Sequence, residues 1–249
     1  MEFIQTIQGE GINVGKPVIL VRFDGCNLCC GFCDTKCASL SKEKTSYEVI
    51  SNQINDLRNK YPNIDTLLIT GGEPIYDENI KMVTDILATQ SNMNFEIETN
   101  GTSLGSLFWN MRNKCDLDEI QLNISPKFNV DAHKNIESLE NIESIEEIYS
   151  IYKDQFLIMK FEKFNNYTVK FVYGDYLNNC DNIILSFIIM NNIPKEKVCV
   201  MPFTPNQNNF DHPRNFLDAF NDSAKQSIEF CLKHGFRYSP REHITLNIK

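Results

Sequence analysis

The sequence is short of basic residues. Lys and Arg together number 24 against 33 Asp and Glu, which gives a formal charge of -9. A protein that follows a nucleic-acid backbone needs a basic surface to displace counterions, so this deficit argues against nucleic acid as the partner. We therefore expect the partner to be a small-molecule substrate or another protein.

The sequence also lacks a long hydrophobic run. Its longest apolar stretch, 183-IILSFIIM-190, is far shorter than the roughly 20 residues that cross a bilayer. The beginning of the chain, MEFIQTIQGEG, has neither the basic nor the apolar region of a secretory signal. We therefore expect a cytoplasmic protein without membrane contact. Thiols stay reduced in that compartment, so clustered cysteines indicate metal ligands or catalytic groups rather than a disulfide framework.

The hydrophobic pattern predicts an α/β fold. Short runs rich in Val, Ile, Leu and Phe alternate with segments of helical period, which is typical of βα units around a parallel sheet. The predicted strands are 17–23, 65–70, 94–99, 118–124, 168–173, 197–203 and a last one at 243–248, and the predicted helices are 46–61, 79–90, 103–112, 181–191 and 214–234. About six parallel βα units predict a partial, incompletely closed TIM-like barrel.

One tract interrupts this alternation. In 135-NIESLENIESIEEIYSIY-152 the apolar residues recur every three positions, a spacing that drifts around a helix of 3.6 residues per turn. We predict a helical insertion at 129–165 within a single domain that covers residues 1–249. The other interpretation of this tract is a solvated, charged cap.

The most informative motifs follow the predicted strands. The segment GCNLCC comes after the first strand, GGEP after the second, TNGT after the third and SPK after the fourth. Ligands of parallel α/β sheets bind at the carboxyl ends of the strands, where the loops lie on a rigid base. The functional site is therefore expected at this edge of the sheet.

Five of the nine cysteines lie within twelve consecutive residues, CNLCCGFCDTKC. Thiolates bind zinc and iron–sulfur clusters alike. A structural zinc needs four protein ligands, which Cys26, Cys29, Cys33 and Cys37 could supply as short-spaced pairs. A 4Fe–4S cluster with one open iron needs three, and Cys26, Cys30 and Cys33 have the spacing C-x3-C-x2-C. The cysteine spacing alone leaves both possibilities open.

Together with the GGEP loop, the three-cysteine loop resembles the radical S-adenosylmethionine superfamily. The likeness extends to the family of 7-carboxy-7-deazaguanine synthases through 7-IQGEG-11, 22-RFDGCNL-28, 33-CDT-35, 70-TGGEP-74, 98-ETNGT-102, 125-SPK-127, 170-KFVYGD-175 and 238-YSPREHI-244. In that family, 6-carboxy-5,6,7,8-tetrahydropterin is converted to 7-carboxy-7-deazaguanine, a precursor of queuosine in transfer RNA, with loss of ammonia.

The resemblance implies three cofactors, namely a 4Fe–4S cluster, S-adenosylmethionine and Mg²⁺. Cys26, Cys30 and Cys33 would bind the cluster, and Thr35 would bind Mg²⁺. The residues that match the binding site for S-adenosylmethionine are Phe32, Gly72, Glu73, Ser125, Pro126 and Lys127.

The resemblance also implies a substrate site, formed by Ile7, Gln8, Gly9, Glu10, Arg22, Thr70 and His243. The planar guanidinium of Arg22 would hold the substrate carboxylate through two parallel hydrogen bonds. Gln8 and Glu10 would pair with the 2-amino-4-oxo edge of the pterin. A homodimer and a reductant such as flavodoxin are further implications. The chain departs from the family at its end, where ITLNIK has no aromatic residue.

Two alternatives follow from the same motifs. An activase that places a glycyl radical on a partner enzyme would share the cysteine loop and the GGEP loop, although IQGEG, SPK and YSPREHI favour the small-molecule enzyme. A non-catalytic zinc-binding interaction module would use the cysteines alone.

Overall fold

Eight strands form one sheet in the computed structural model, which describes residues 1–33, 45–76, 79–90, 92–111, 119–129, 144–209 and 211–248. They are β1 (Glu2–Ile7), β2 (Pro17–Phe23), β3 (Thr66–Gly71), β4 (Asn94–Thr99), β5 (Ile120–Ile124), β6 (Tyr167–Tyr173), β7 (Val198–Pro202) and β8 (Arg237–Tyr238). Each strand pairs with its neighbours in chain order, β1 antiparallel to β2 and all later pairs parallel. The sheet stays open between β1 and β8, which confirms the predicted partial barrel.

Six helices of the described residues connect successive strands and cover one face of the sheet. They are α1 (Tyr47–Lys60), α2 (Ile80–Thr89), α3 (Leu104–Met111), α4 (Ile145–Phe161), α5 (Cys180–Met190) and α6 (Pro213–His234). A short helix, α7 (Glu242–Thr245), follows β8. Local signals set their starts. Ser144 and Glu147 form a reciprocal capping box at α4, and Pro213 occupies the first turn of α6, where its missing N–H has no partner to lose. Within the described part of the chain, no helix is both long and apolar enough to cross a membrane.

Side-chain alternation divides the sheet into two chemically different faces. Odd-numbered residues of β2, β3, β4 and β6 belong to the main hydrophobic cluster under the helices; they are Ile19, Val21, Phe23, Leu67, Ile69, Phe95, Ile97, Val169 and Phe171. Even-numbered residues point to the inner face, since successive side chains of a strand alternate. This inner face is apolar at Val18, Leu20 and Leu68 and polar towards the carboxyl ends of the strands.

Three parts of the chain differ from the sequence predictions, one of which is the short strand β8, which was not predicted. β1 is not among the predicted strands, since its burial is mixed rather than alternating. The predicted strand at 243–248 is wrong, because residues 242–245 form α7 and Asn247 has a left-handed backbone with φ 50°. Here the Glu242 N–H bonds the carbonyl of Gly9 at 2.9 Å instead of extending the sheet beyond β8.

The predicted insertion at 129–165 is described only in part. Residues 145–161 are α4, the helix that connects β5 to β6, and residues 130–143 lie outside the described part of the chain. Ile148, Tyr152 and Phe156 of α4 are buried in the main hydrophobic cluster. This half of the segment is therefore a packed helix of a βα unit rather than a solvated cap, and the insertion itself stays a prediction.

Phe187 of α5 lies at the centre of an aromatic cluster in this core. Its side chain is fully buried, and its ring centroid lies between 5.2 and 5.9 Å from those of five others, namely Phe128, Tyr149, Tyr152, Phe156 and Phe171. Most of these pairs are edge-to-face, the arrangement that aromatic quadrupoles favour.

We expect Phe187→Ala to lower the free energy of unfolding by about 3–5 kcal/mol, because the cavity left among five rings cannot collapse fully. Urea unfolding would measure the change. Ile189→Ala on the same helix is the matched control, since Ile189 is 74% exposed, and a change within about 0.5 kcal/mol is expected there. Equal effects of the two substitutions would contradict this packing.

Candidate active site

A cavity of about 550 Å³ lies at the carboxyl ends of the parallel strands. Most of the residues predicted from the sequence line it, namely Ile7, Gln8, Gly9, Glu10, Arg22, Cys26, Cys30, Phe32, Cys33, Thr70, Gly72, Ser125, Lys127 and His243. Glu73 and Pro126 are buried outside its lining. Thr35 and Cys37 lie outside the described residues. The fold thus brings together residues as far apart in sequence as Ile7 and His243.

The cysteine loop presents three thiols to this cavity. Cys26, Cys30 and Cys33 are all partly exposed in its wall, whereas Cys29 is exposed outside the lining. The N–H of Leu28 points at Sγ of Cys26 at 3.3 Å, a contact that stabilises a thiolate. The N–H of Cys33 bonds the carbonyl of Cys30 at 3.1 Å, which fixes the turn between these two thiols.

These residues suit a 4Fe–4S cluster with one open iron. Such a cluster attaches each thiolate to a different iron, so its ligands surround a volume instead of converging on a point. Cys26, Cys30 and Cys33 supply three thiols on one cavity wall. Cys37, which the zinc alternative requires, lies outside the described residues.

The GGEP loop packs directly on the cysteine loop. The N–H of Gly72 bonds the carbonyl of Phe23 at 3.1 Å, and the N–H of Glu73 bonds that of Gly25 at 2.8 Å. A Cβ on Gly72 would lie 2.0 Å from the carbonyl oxygen of Gly25 and 3.0 Å from Cβ of Cys26. Only glycine permits this approach, so Gly72 sets the distance between the two loops.

The carboxyl group of Glu73 ties the GGEP loop to the end of β4. Its oxygens accept hydrogen bonds from the Thr99 hydroxyl at 2.7 Å, the Asn100 N–H at 2.6 Å and the Ile75 N–H at 3.2 Å. Burial raises the pKa of Glu73 to about 7, although these three donors and the charge of Lys127 oppose the shift. Glu73 therefore supports the site by anchoring the GGEP loop, although its side chain does not line the cavity.

A second link joins the cysteine loop to the TNGT segment after β4. The Asn27 side chain accepts a hydrogen bond from the Asn100 amide and donates one to the Thr102 hydroxyl, both at 2.8 Å. The Asn100 side chain also accepts from the Thr102 N–H at 3.0 Å. This side of the cavity is thus held by side-chain amides rather than by regular secondary structure.

The SPK segment after β5 places a cation beside an aromatic ring. The Lys127 N–H bonds the hydroxyl of Tyr152, which is fully buried, at 2.9 Å. The Lys127 ammonium contacts the Ser125 hydroxyl at 3.0 Å and lies 5.9 Å from the Phe32 ring. The Phe32 ring in turn packs against Tyr176 at 4.4 Å. An anionic or aromatic part of a ligand would find suitable partners here.

Lys170 of β6 is the buried cation of the inner face. Its side chain is 1% exposed, and its ammonium pairs with Glu10 at 2.9 Å and with Glu98 of β4. Burial alone would lower the pKa of Lys170, but the two carboxylates outweigh it and raise this pKa. The lysine is therefore charged at neutral pH.

The two carboxyl groups that pair with Lys170 have pKa values shifted in opposite directions. Burial would raise the pKa of Glu10, but Lys170, Arg241 and His243 together lower it well below its usual value. Burial raises the pKa of Glu98, and the nearby negative charges of Glu10 and Glu96 add to the shift against the attraction of Lys170. Glu10 is therefore the more firmly ionised of the two.

The amide and carbonyl groups of the Gln8 side chain form hydrogen bonds within the protein. Its amide donates to Glu96 at 2.8 Å and to Glu98 at 3.2 Å, while Asn123 donates to the same two carboxylates. Its carbonyl oxygen accepts from the Glu10 N–H at 3.3 Å. Gln8 thus fixes the loop that carries Glu10.

Arg22 lies in the cavity wall at the end of β2 and is 29% exposed. Its Nε donates to Glu2 of β1 at 3.1 Å, so the antiparallel strand that the sequence analysis did not predict supplies a carboxylate to the site. Thr70 of β3 lies beside Arg22 in the register of the sheet.

The His243 side chain lies directly beside Gly9 of the IQGEG loop. A Cβ on Gly9 would lie 2.4 Å from Nδ1 of His243, and Nε2 of His243 lies 3.7 Å from Glu10. Ile244 and Ile248 also line the cavity, so the C-terminal segment contributes apolar wall without an aromatic residue.

Several residues that line this cavity are not among those predicted from the sequence. Lys170, Glu98 and Arg241 belong to matching segments but not to the predicted set. A signal was present for two of them. Lys170 interrupts an apolar strand, and Glu98 alternates with buried residues of β4, so both had to face the polar side of the sheet.

Comparison with protein families agrees with this geometry. Residues 20–151, more than half of the chain, match the family model described as the Radical SAM superfamily. The matched stretch contains the cysteine loop, GGEP and SPK. Membership of this family implies a 4Fe–4S cluster and S-adenosylmethionine as cofactors.

Among curated proteins, the chain is similar to several named 7-carboxy-7-deazaguanine synthase. The relative from Clostridium acetobutylicum is 33% identical over 113 residues, which cover 45% of this chain and 50% of that protein. The relative from Aquifex aeolicus is 32% identical over 127 residues (51% and 53%), and that from Rickettsia prowazekii is 41% identical over 106 residues (41% and 44%). The chain spans about half the length of the curated relatives it matches.

Two solved structures share the fold. The crystal structure of QueE from Escherichia coli has a TM-score of 0.58 and 20% identity, covering 97% of this chain and 92% of that one. A radical SAM methyltransferase from Sphaerobacter thermophilus has a TM-score of 0.53 and 16% identity, covering 91% and 66%. At these identities the likeness concerns the fold alone.

We expect Glu73→Gln to change the pH dependence of stability. An unfolded glutamate titrates near 4.5, whereas burial raises the pKa of Glu73 to about 7 in the folded protein. Between these values the folded state holds the proton more tightly, so wild-type stability falls as pH rises through this window. Relative to the variant, the wild-type free energy of unfolding should fall by about 3 kcal/mol from pH 4.5 to 7.

Chemical unfolding across this pH range would measure the effect. Glu229→Gln on the exposed side of α6 is the control, and its curve should run parallel to that of the wild type. A Glu73→Gln curve that also runs parallel would show that folding does not shift the pKa of Glu73.

We expect Lys170→Met to destabilise the protein by about 3–5 kcal/mol at neutral pH, because it removes the cation of buried Glu98 and leaves Glu10 with Arg241 alone. The loss should shrink as pH falls, since both carboxyl groups can then take up protons. Thermal and urea unfolding at several pH values would test this. Lys225→Met, at an exposed pair with Asp222, should change stability by no more than about 0.5 kcal/mol. A pH-independent loss in Lys170→Met would argue against charge compensation.

Proposed function

Because the chain belongs to the radical S-adenosylmethionine superfamily, we propose that it converts 6-carboxy-5,6,7,8-tetrahydropterin to 7-carboxy-7-deazaguanine with loss of ammonia. The observation that carries this proposal is the composition of a single cavity. Its wall combines the three-cysteine loop with Arg22 and with the Gln8–Glu10 segment, which match the cluster-binding and pterin-binding parts of the synthase family.

Cys26, Cys30 and Cys33 would bind the cluster through three of its irons. When bound, the reduced cluster supplies the electron that cleaves S-adenosylmethionine to a 5′-deoxyadenosyl radical. The residues of this chain hold the reactants around that chemistry and exclude water from it. Leu28 supports the role of Cys26, since its N–H points at the sulfur.

S-adenosylmethionine would lie between the cysteine loop and the SPK segment. Gly72 leaves room for its methionine end beside Cys26, and Phe32, Ser125 and Lys127 offer a ring, a hydroxyl and a cation on the opposite side. Glu73 and Pro126 would act from behind the wall, by holding the GGEP loop and shaping the SPK turn.

The pterin would lie nearer to β1, β2 and the C-terminal segment. Arg22 would bind the substrate carboxylate, which competes with Glu2 for the guanidinium. Glu10 would accept a hydrogen bond from the 2-amino group of the pterin through carboxylate lone pairs that do not contact Lys170 or Arg241. The remaining contacts proposed for the ring come from Ile7, Gly9, Thr70 and His243, and Gln8 would contribute by fixing the loop that carries Glu10.

Further parts of the proposal rest on family resemblance. Mg²⁺ would be bound by Thr35 and would orient the rearranging substrate. The protein would be a cytoplasmic homodimer of single-domain chains and would receive electrons from a donor such as flavodoxin.

The nearest alternative is an activase that acts on a partner protein. The observation against it is the polar cavity itself, since Arg22, Glu10 and Lys170 form a recess for a small charged molecule. Consumption of S-adenosylmethionine that needs a partner protein, and not the pterin, would favour the activase.

We expect the anaerobically reconstituted protein to form 7-carboxy-7-deazaguanine from the carboxypterin in the presence of S-adenosylmethionine, Mg²⁺ and dithionite. Mass spectrometry would detect the product, and a coupled assay would detect the ammonia. Replacing Cys26, Cys30 or Cys33 by Ala should abolish both the brown absorption of the cluster and the product, because three ligands are needed.

Cys29→Ala is the matched control within the same loop, since this exposed thiol lies outside the cavity lining. It should keep both the cluster and the product. A loss of the cluster in Cys29→Ala would contradict the ligand assignment, whereas an intact wild-type cluster without product would contradict the substrate.

A further inference from the structure

Residues 239–243 fasten the C-terminal segment 239–248 to the loop that carries Glu10. The Gly11 N–H bonds the Ser239 hydroxyl at 2.7 Å, and the Glu242 N–H bonds the Gly9 carbonyl at 2.9 Å. These contacts join residues more than 220 positions apart in sequence. The position of Glu10 in the cavity therefore depends on the C-terminal segment.

Arg241, within this segment, also forms an ion pair with Glu10. Its side chain is only 9% exposed, and its Nε donates to Oε1 of Glu10 at 2.9 Å. Its Nη1 donates to the hydroxyl of Thr204, just after β7. The guanidinium is thus held at two points by its rigid fork, which a lysine could not reproduce.

Glu10 lies between two cations on different elements. Arg241 contacts Oε1, and Lys170 of β6 contacts Oε2 at 2.9 Å. The other titratable groups that face this carboxylate are Glu98 of β4, which shares Lys170, and His243 at 3.7 Å. With both oxygens engaged, the carboxylate has one orientation, and its remaining lone pairs point in fixed directions.

We propose that Arg241 is a positioning residue for substrate recognition, which holds the Glu10 carboxylate charged and aimed at the amino edge of the pterin. This inference rests on the proposed function and deepens it. Arg241 acts through Glu10, whereas Arg22 would bind the substrate itself. The amino edge of the substrate would then be bound by the Glu10 carboxylate, whose position depends on the C-terminal segment.

The physical reason is competition between burial and charge. Burial favours a protonated Glu10, and the neighbouring cations outweigh burial and lower its pKa. Without Arg241 this pKa rises, and a protonated carboxyl loses one of its acceptor oxygens to its own proton. A pterin amino group would then bind less tightly, and increasingly so as pH falls.

The test uses the reconstituted full-length enzyme with the carboxypterin as the probe. We expect Arg241→Gln to raise KM for the pterin about 10- to 100-fold, the range for losing a hydrogen bond to a charged group. KM for S-adenosylmethionine and the absorption of the cluster should not change. The increase in KM should be larger near pH 6 than near pH 8, which a purely structural role would not produce.

Three further variants keep the test decisive. Arg241→Lys retains the charge and should recover part of the affinity, with a weaker pH dependence. Thr204→Val removes only the second anchor and should cause a smaller change in the same direction. Arg237→Gln, at an exposed position on β8, should behave like the wild type.

The outcomes separate this inference from the proposed function. A wild-type enzyme that neither binds nor converts the pterin would overturn the proposed function, and this inference with it. A wild-type enzyme that converts the pterin, together with Arg241→Gln of unchanged or pH-independent KM, would overturn this inference alone.

Discussion

The ion pairs of Lys170 are the interaction on which the site depends. A single ammonium, almost completely buried, joins a loop before β2, through Glu10, to β4, through Glu98. A buried charge without partners would be very unfavourable, so the two carboxylates are what permit a lysine on the inner face of the sheet. The same arrangement shifts the two carboxyl groups differently, lowering the pKa of Glu10 and leaving that of Glu98 raised by burial.

Around that centre, backbone and side-chain hydrogen bonds together hold the loops. Gly72 and Glu73 bond the end of β2 and the start of the cysteine loop through their N–H groups, the Glu73 carboxyl group connects the GGEP loop to the end of β4, and Asn27 connects the cysteine loop to Asn100. These contacts matter because loops lack the regular hydrogen bonding of the strands that they follow. The cysteines, the glycines and the SPK segment therefore keep their relative positions through a small number of buried hydrogen bonds.

Most of the sheet could be predicted from the sequence, because β2, β3, β4 and β6 are short runs rich in apolar residues that alternate along the chain with segments of helical period. The last segment could not. Residues 243–248 have the apolar content of a strand, yet their backbone bonds to the Gly9 region and forms α7 instead. β1 was missed for a related reason, since its half-buried antiparallel position leaves no clear period.

By itself, the sequence determined the order of the βα units and the loops that carry the chemistry, because hydrophobic period and cysteine spacing are local properties of the chain. Only the tertiary structure decided which charges face one another. Lys170, Glu98 and Arg241 are distant in sequence from Glu10, and their pairing depends on strand order and on the path of the C-terminal segment. Electrostatic compensation of this kind acts through space, so its partners cannot be identified until the chain is folded.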